Sequence, residues 1–525
     1  MLRPGTYESG DLTFQAYKLH SFYNNLAAGL WIPRWSAELN ATYGYPNFIF
    51  TYHLPYYIAS FFHALGFHLI TSVTLTLALT YIFSGLFFYQ WIKKHVSDKA
   101  AFLGSSLYLF APYRFVTMHF RATLGESTAQ MILPLCAWSL HHFNSRRTYR
   151  SEIYVVMSIS LLILTHQAIT LVGIPLLILY SLYLSKYHKS QSLVKTLRPF
   201  VSALLLTTYY WLPILKESSY TFQSQFPVHI QHAKLWTFFF SPWKYGLLFQ
   251  GPAGQLSPAL GYVQWLVILI AFVSILKVKT SPLLQYAVFI FSLYFFTAQE
   301  FSPAWYFFPI LHKIQFSYRY VGILIFIGSA IGALTLSLHE NKPLVRKFAL
   351  FIIPLLFATT LLNWGNRKVI PYPPHDDFIA FAPYITEKGE GFDPAIPKWV
   401  DPKHPWKKVV PDAHIEGIDS PITIEEELRE YTSHRYRINV SQTTRIRENT
   451  AFFPGWKLYI DKKQNTIKVN DESSPGLITF SVSPGRHIIE VEFVNTPVRT
   501  FASLVSIATA GLMIVTLVRM NDRHI

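Results

Sequence analysis

The chain has 525 residues, of which 51% are hydrophobic, 17% aromatic and only 14% charged, a composition that excludes an ordinary soluble multi-domain protein. The formal net charge of +16 would suit a nucleic-acid binder. The Lys and Arg residues, however, sit in short clusters between apolar runs, as they do in polytopic membrane proteins, so membrane lipids are expected partners and nucleic acid is not.

The chain opens Met-Leu-Arg-Pro-Gly, with neither the apolar core nor the small-residue cleavage site of a signal peptide. Residues 1–67 read as a first outer loop with interfacial or re-entrant helices. From Glu8 to Pro55 the chain is too polar and too rich in Gly, Pro and aromatic residues to cross a bilayer. It holds Asp11, a helix over Leu12–Leu26, His20, Gly29-Leu-Trp-Ile-Pro33-Arg34-Trp35, Tyr43-Gly-Tyr-Pro46 and Tyr52-His53. The apolar run Phe48–Phe67 is expected to lie in the interface, because a crossing there would turn every later basic loop outward.

Residues 68–363 form a multi-span domain. Apolar runs near 68–91, 100–117, 126–143, 152–166, 167–184, 199–215, 259–276, 282–298, 318–337, 347–363 and 500–518 give roughly eleven spans of about 20 residues or slightly fewer. Basic clusters follow alternate runs: Lys93, Lys94 and Lys99; Arg146, Arg147 and Arg150; Lys186, Lys189, Lys195 and Arg198; Lys277 and Lys279; Lys342, Arg346 and Lys347; Arg519 and Arg523. All fall on one side, which the positive-inside rule makes cytoplasmic. Cys136 lies inside one run; as the lone cysteine it allows no intrachain disulfide and no Cys-based metal site.

Residues 364–499 are expected as an extracytoplasmic domain, β-rich from about 435. They begin Pro-rich and charged, and His375-Asp376-Asp377 reads as a solvated loop more readily than as a metal site. A short acidic helix is expected around Glu425–Tyr431. Period-two strands follow at Tyr436–Val440, Trp456–Ile460, Thr466–Val469, Leu477–Val482 and His487–Phe493, a pattern for a small antiparallel sandwich. Residues 500–525 are a final transmembrane helix with a cytoplasmic tail, so the expected location is a multi-pass position in the plasma (inner) membrane.

Ionisable residues gather where runs end on the outer side: Arg114, His119, Arg121 and Glu126 in one hairpin, His166 in the next turn, and Arg319 before a later run. Ionisable groups at membrane depth persist when paired or when lining a polar cavity. With Asp11, Glu8, His20 and His53 they make a candidate pocket. Arg114, Arg121 and Arg319 offer planar forks for a donor phosphate. Asp11 is the candidate catalytic carboxylate, able to take a proton from an attacking hydroxyl or to help hold a divalent cation, Mg or Mn. Blander roles stand beside these: arginines that snorkel or pair with Glu126, histidines that cap, and Asp11 as no more than the N-cap of its helix.

Ser9-Gly-Asp11, His20, Gly29-Leu-Trp-Ile-Pro33-Arg-Trp35, Tyr43-Gly-Tyr-Pro46, Pro112-Tyr-Arg114, Arg121-Ala-Thr-Leu-Gly-Glu126, Leu164-Thr-His166 and Gln315-Phe-Ser-Tyr-Arg319 resemble, in order, the polytopic bacterial family labelled 6-pyruvoyl-tetrahydropterin synthase-related membrane protein. Phe453-Pro-Gly-Trp-Lys-Leu-Tyr-Ile-Asp461, Pro484-Gly-Arg-His487 and Thr496-Pro-Val-Arg499 look like the end of these proteins and of integral-membrane glycosyltransferases of the C superfamily (GT-C). The resemblance implies an α-helical, GT-C-like membrane enzyme that takes a sugar from a polyprenyl-phosphate donor to an extracytoplasmic glycan, lipid or protein acceptor, with Asp11 as the carboxylate of the first outer loop. The pterin label itself has no support, since no His triad accompanies a catalytic Cys. Relatives carry a transmembrane helix before this loop, whereas ten residues precede Asp11 here, so a late start codon or a fragment is expected. The alternatives are a lipid or lipid-linked-glycan transporter and a non-catalytic envelope scaffold.

Overall fold

The computed structural model describes residues 6–7, 9, 11–187, 193–225, 230–239, 258–361, 369–370, 395–400 and 411–522. The short strand β1 (Thr6–Tyr7) pairs antiparallel with β2 (Val369–Ile370). Three helices follow β1: α1 (Leu12–Ala27), α2 (Asn47–Phe50) and α3 (Leu54–Ala64). Then come α4 (Leu69–Ile92), α5 (Asp98–Leu109), α6 (Pro112–Phe115) with a π turn over Val116–Phe120, α7 (Leu124–Arg146), α8 (Tyr149–Ile163) and α9 (Gln167–Tyr187). The helical part continues with α10 (Leu193–Leu206), α11 (Thr208–Glu217), α12 (Tyr262–Lys277), α13 (Pro282–Thr297), α14 (Ala304–Phe307), α15 (Tyr320–Leu338) and α16 (Pro343–Leu361). The last helix, α17, covers Pro497–Asp522.

α15 is the axis of the bundle. It is apolar on every face, and each residue from Tyr320 to Leu336 is buried, against α5, α7, α9, α12 and α13. Small residues let neighbours approach: the Gly332 backbone lies against Leu107 and Val267, and Ala333 against Gly104. α17 is the opposite case. It packs on α10 and α11 through one stripe and exposes Phe501, Leu504, Ile507, Leu512 and Ile514.

Among the described residues, four helical stretches are long and apolar enough to cross a membrane: Leu69–Ile92, Gln167–Tyr187, Ser317–Leu338 and Pro497–Arg519. Tyr262–Lys277 and Pro282–Thr297 are apolar but shorter. Two runs expected to be continuous are broken. The run 100–117 stops at Phe110 because Pro112 pushes Ala111 into an extended conformation. The run 199–215 bends at Thr207 and Thr208, whose hydroxyls bond back to the Ala203 and Leu204 carbonyls at 2.8 and 3.1 Å. The Phe48–Phe67 run is two short helices, α2 and α3, separated at Thr51–His53.

The β-rich part has two antiparallel sheets, ordered β4-β5-β10-β7-β8 and β3-β6-β9. Their strands are β3 (Ile415–Gly417), β4 (Ile422–Arg429), β5 (Ser433–Val440), β6 (Thr444–Ala451), β7 (Trp456–Ile460), β8 (Lys463–Asn465), β9 (Leu477–Val482) and β10 (Gly485–Phe493). The acidic helix expected around Glu425–Tyr431 is instead the edge strand β4. Its acids stand opposite basic residues, with Glu426 paired to Arg437 at 2.9 Å and Glu425 to Arg486 at 3.0 Å, and cross-strand pairing overrides helix propensity. The strand expected at Thr466–Val469 reduces to a single antiparallel bridge, Lys468 to Thr479, and the strand β8 forms ahead of it, because Asp461 and Lys462 take left-handed φ values of 50° and 67° and turn the chain straight back on β7.

One apolar core joins this β part to the N-terminal helices and the start of α4. Trp35 meets Trp456 edge-on at 5.2 Å and Phe493 at 5.0 Å, and the Ala451 N–H donates to the Tyr43 carbonyl at 2.8 Å.

Candidate functional site

Glu126 sits in the first turn of α7, 1% exposed, where three chain segments meet. Arg121 arrives from the loop before α7, which the left-handed Ala122 (φ 50°) turns sharply. Arg319 arrives from the helical turn that opens α15. Nη1 of Arg121 donates to both Glu126 oxygens at 3.0 Å, Nε of Arg319 lies 3.4 Å from Oε1, and the Tyr113 hydroxyl donates to Oε2 at 3.3 Å. Two guanidiniums thus share one carboxylate. Arg121 also covers the Tyr318 ring at 5.1 Å, and Nη1 of Arg319 donates to the Ile314 carbonyl at 2.6 Å. Nη2 of each arginine donates no hydrogen bond to a described residue.

Gly125 permits this convergence. A Cβ there would stand 2.5 Å from the Tyr52 ring and 2.8 Å from the Thr165 carbonyl, so only glycine lets the first loop and the α8–α9 turn close on α7. Tyr52 stacks on His166 at 5.8 Å, and its hydroxyl accepts from Gln15 Nε2 at 3.3 Å.

Asp11 is fastened to the same place by its backbone, its N–H donating to the Arg121 carbonyl at 3.0 Å. It holds the N-cap position of α1 but makes no side-chain cap bond; the Ser9 hydroxyl accepts the Leu12 N–H at 3.0 Å instead. The Asp11 carboxylate therefore forms no hydrogen bond or ion pair with described residues, while feeling Arg121, Glu126, Lys18 and Arg319 electrostatically. Burial pushes its carboxyl above the usual range, against the opposing pull of the Arg121 guanidinium.

The other expected residues divide. His166 belongs to the cluster: it stacks on Tyr52 and its Nδ1 accepts from the Ile169 N–H at 3.4 Å. Arg114 goes deeper into the bundle and lies over Tyr81 and Tyr108, with its two terminal nitrogens taken by Gln130 and Ser84. His20 bonds Asn24 at 3.1 Å, further along α1. His53 bonds the Phe48 carbonyl at 2.6 Å, and burial pushes it down to about 4. His119 stacks on Phe115 within the π turn. Glu8 and His375-Asp376-Asp377 lie outside the described residues. Among the described residues no group of three or more His, Cys, Asp or Glu side chains is placed to hold a metal ion. Tyr113 and Tyr318 lie inside the motifs that carry Arg114 and Arg319, and Tyr52 stands beside His53 in the first loop, whereas Gln15 belongs to no motif.

Residues 50–366, more than half of the chain, match the sequence model of a family described as 6-pyruvoyl-tetrahydropterin synthase related domain; membrane protein. The chain belongs to that family. The 6-pyruvoyl-tetrahydropterin synthase related match takes in Arg121, Glu126, His166 and Arg319; Asp11 and the β sheets lie outside it. The chain is also similar to an uncharacterized protein of Lactococcus lactis subsp. cremoris (strain MG1363), 23% identical over 186 residues. That similarity covers 34% of this chain and 30% of the relative's own length.

Proposed function

We propose that this member of the 6-pyruvoyl-tetrahydropterin synthase related family is an inverting glycosyltransferase of GT-C type, with about eleven membrane crossings and its reaction on the outer face. The observation that carries the reading is the uncommitted Asp11 carboxylate beside Arg121 and Arg319. An acceptor hydroxyl attacks the anomeric carbon of a polyprenyl-phosphate sugar, the sugar–phosphate C–O bond breaks, and the hydroxyl proton passes to Asp11. A carboxylate whose proton affinity is raised by burial suits that task. Nη2 of Arg121 and of Arg319 holds the departing phosphate, while Glu126 keeps both guanidiniums in place. A single displacement inverts the anomeric centre. His166 and Tyr52 shape the pocket, and residues 364–499 present or select the acceptor. Arg114 has no part in the phosphate site, since its two terminal nitrogens are taken by Gln130 and Ser84.

The test is transfer in membranes supplied with labelled polyprenyl-phosphate sugar. Asp11→Asn is expected to abolish it with expression intact, and full activity in that variant discards the role.

A further inference from the structure

A second imbalance of charge lies where α11 ends and α17 begins. Arg499 is completely buried and closes on Glu217, Nε to Oε2 at 2.9 Å, while its Nη2 donates to the Pro454 carbonyl at 2.8 Å. The Thr496 hydroxyl donates to the other Glu217 oxygen at 2.6 Å. That ion pair is saturated. Arg34, in the turn after α1, is coupled to both members and to Tyr57 and Tyr209, yet forms no hydrogen bond or ion pair with a described residue. Two guanidiniums face one carboxylate, so one positive charge is left over. Burial first, and the Arg499 charge second, lower Arg34 to about 10, the direction that an arriving anion reverses.

The turn holding Arg34 is preformed. Gly29 takes φ +84°, and the Leu30 and Gly29 N–H groups bond the Asn25 and Leu26 carbonyls at 2.9 and 3.0 Å, a Schellman closure of α1. The Tyr57 hydroxyl donates to the Trp31 carbonyl. Trp31 is 74% exposed and Ile32 43%, and the two helices bearing the ion pair expose Leu215, Phe501 and Leu504 beside it. An exposed indole, exposed aliphatic helix faces and a guanidinium with no bonded partner among the described residues together describe the membrane–water boundary.

We infer that Arg34 marks a binding position for a phosphate group, supplied by a membrane lipid headgroup. The Asn25 side chain bonds the Trp35 carbonyl, so this position lies near the far end of α1, roughly 20 Å from Asp11 at 1.5 Å per helical residue. It is separate from the Asp11 cluster and does not depend on the transfer reaction. The Arg34 fork would take two phosphate oxygens, with the Trp31 ring at headgroup level.

The full-length chain in detergent is offered phosphatidylglycerol, a glucosyl-diacylglycerol with the same tails and no phosphate, or inorganic phosphate, and retention is read by native mass spectrometry. Phosphatidylglycerol is expected to be retained at least roughly tenfold better than the glycolipid. Arg34→Gln should remove that preference, and Arg34→Lys should keep part of it, because charge remains without the fork. On the unmodified chain, phosphatidylglycerol should protect Arg34 from phenylglyoxal while the glycolipid does not; this arm needs no variant to fold. Equal retention of the two lipids, an unchanged preference in Arg34→Gln, or equal labelling with and without phosphatidylglycerol overturns the site. Inorganic phosphate protecting Arg34 as well as the lipid does overturns the lipid source and keeps the phosphate chemistry. Asp11→Asn should leave all these readings unchanged, so failure here and failure of the transferase reading are distinguishable.

Discussion

A buried carboxylate that caps no helix and pairs with no described residue is destabilising, and Asp11 is such a group: Ser9 caps α1 in its place while Arg121 and Arg319 serve Glu126. Its raised proton affinity has a definite sign. A carboxyl whose folded pKa lies above its unfolded one stabilises the fold only while protonated, and that contribution is lost as pH rises through the folded value. Asp11→Asn should therefore raise the melting temperature at neutral pH while lowering transfer by ~10²–10⁴-fold, and a fall in melting temperature would count against an uncompensated charge. In the wild type, activity should decline on acidification with an apparent pKa above the ordinary carboxylate range, a limb that the Asn variant lacks. Glu126 predicts the reverse pattern. Removing it leaves Arg121 and Arg319 buried without their anion, so Glu126→Ala should cost roughly 3–5 kcal/mol, read as loss of folded protein in membrane extracts before any kinetic effect.

Between elements, stability depends on close approaches and on paired charges. Gly125→Ala should drive Tyr52 and the Thr165 carbonyl away from α7 at a cost of about 1–3 kcal/mol, lowering activity and melting temperature together. Within the sandwich, burial alone would raise the Glu448 carboxyl, but His434, then Arg429 and Thr450, bring it below its ordinary value. A depressed folded pKa gives stability that is complete above the unfolded value of about 4.3 and is lost as pH falls toward the folded one. The β part should thus loosen below about pH 4, by near-ultraviolet circular dichroism, and Glu448→Gln should flatten that dependence.

Sequence was informative here where pattern is local. Leu12–Leu26, Trp456–Ile460 and Leu477–Val482 read directly because their periodicity is clean. β6 escaped because Arg445, Arg447, Glu448 and Asn449 break the apolar alternation, and their partners come from other strands, as Glu416 and His434 do, or from the β3–β4 turn, as Asp419 does. Likewise the arginines could be placed at span ends, but only packing tells that Arg114 turns toward Gln130 while Arg121 and Arg319 turn toward Glu126.

At the scale of the whole molecule, the β part is structural support for the first loop, whatever it does for an acceptor. Trp35, Tyr43 and Tyr45 are buried in a core whose other side is Trp456, Phe453 and Phe493, and the loop they belong to carries Asp11. Removing residues 364–499 uncovers those three aromatics and takes away the Ala451 bond to the Tyr43 carbonyl, although Asp11, Arg121, Glu126 and Arg319 all remain. The truncated chain should accordingly lose transfer and show a protease-sensitive first loop. Trp35→Ala in the full-length chain should do the same in part, since truncating a buried Trp costs roughly 3–5 kcal/mol. A scaffold whose activity resided in the sandwich alone would give another result: Trp35→Ala and Asp11→Asn would both leave its phenotype standing. Limited proteolysis of the loop alongside the transfer assay separates the two, because a truncated chain with a protected loop and full transfer would mean that the shared core carries no mechanical load.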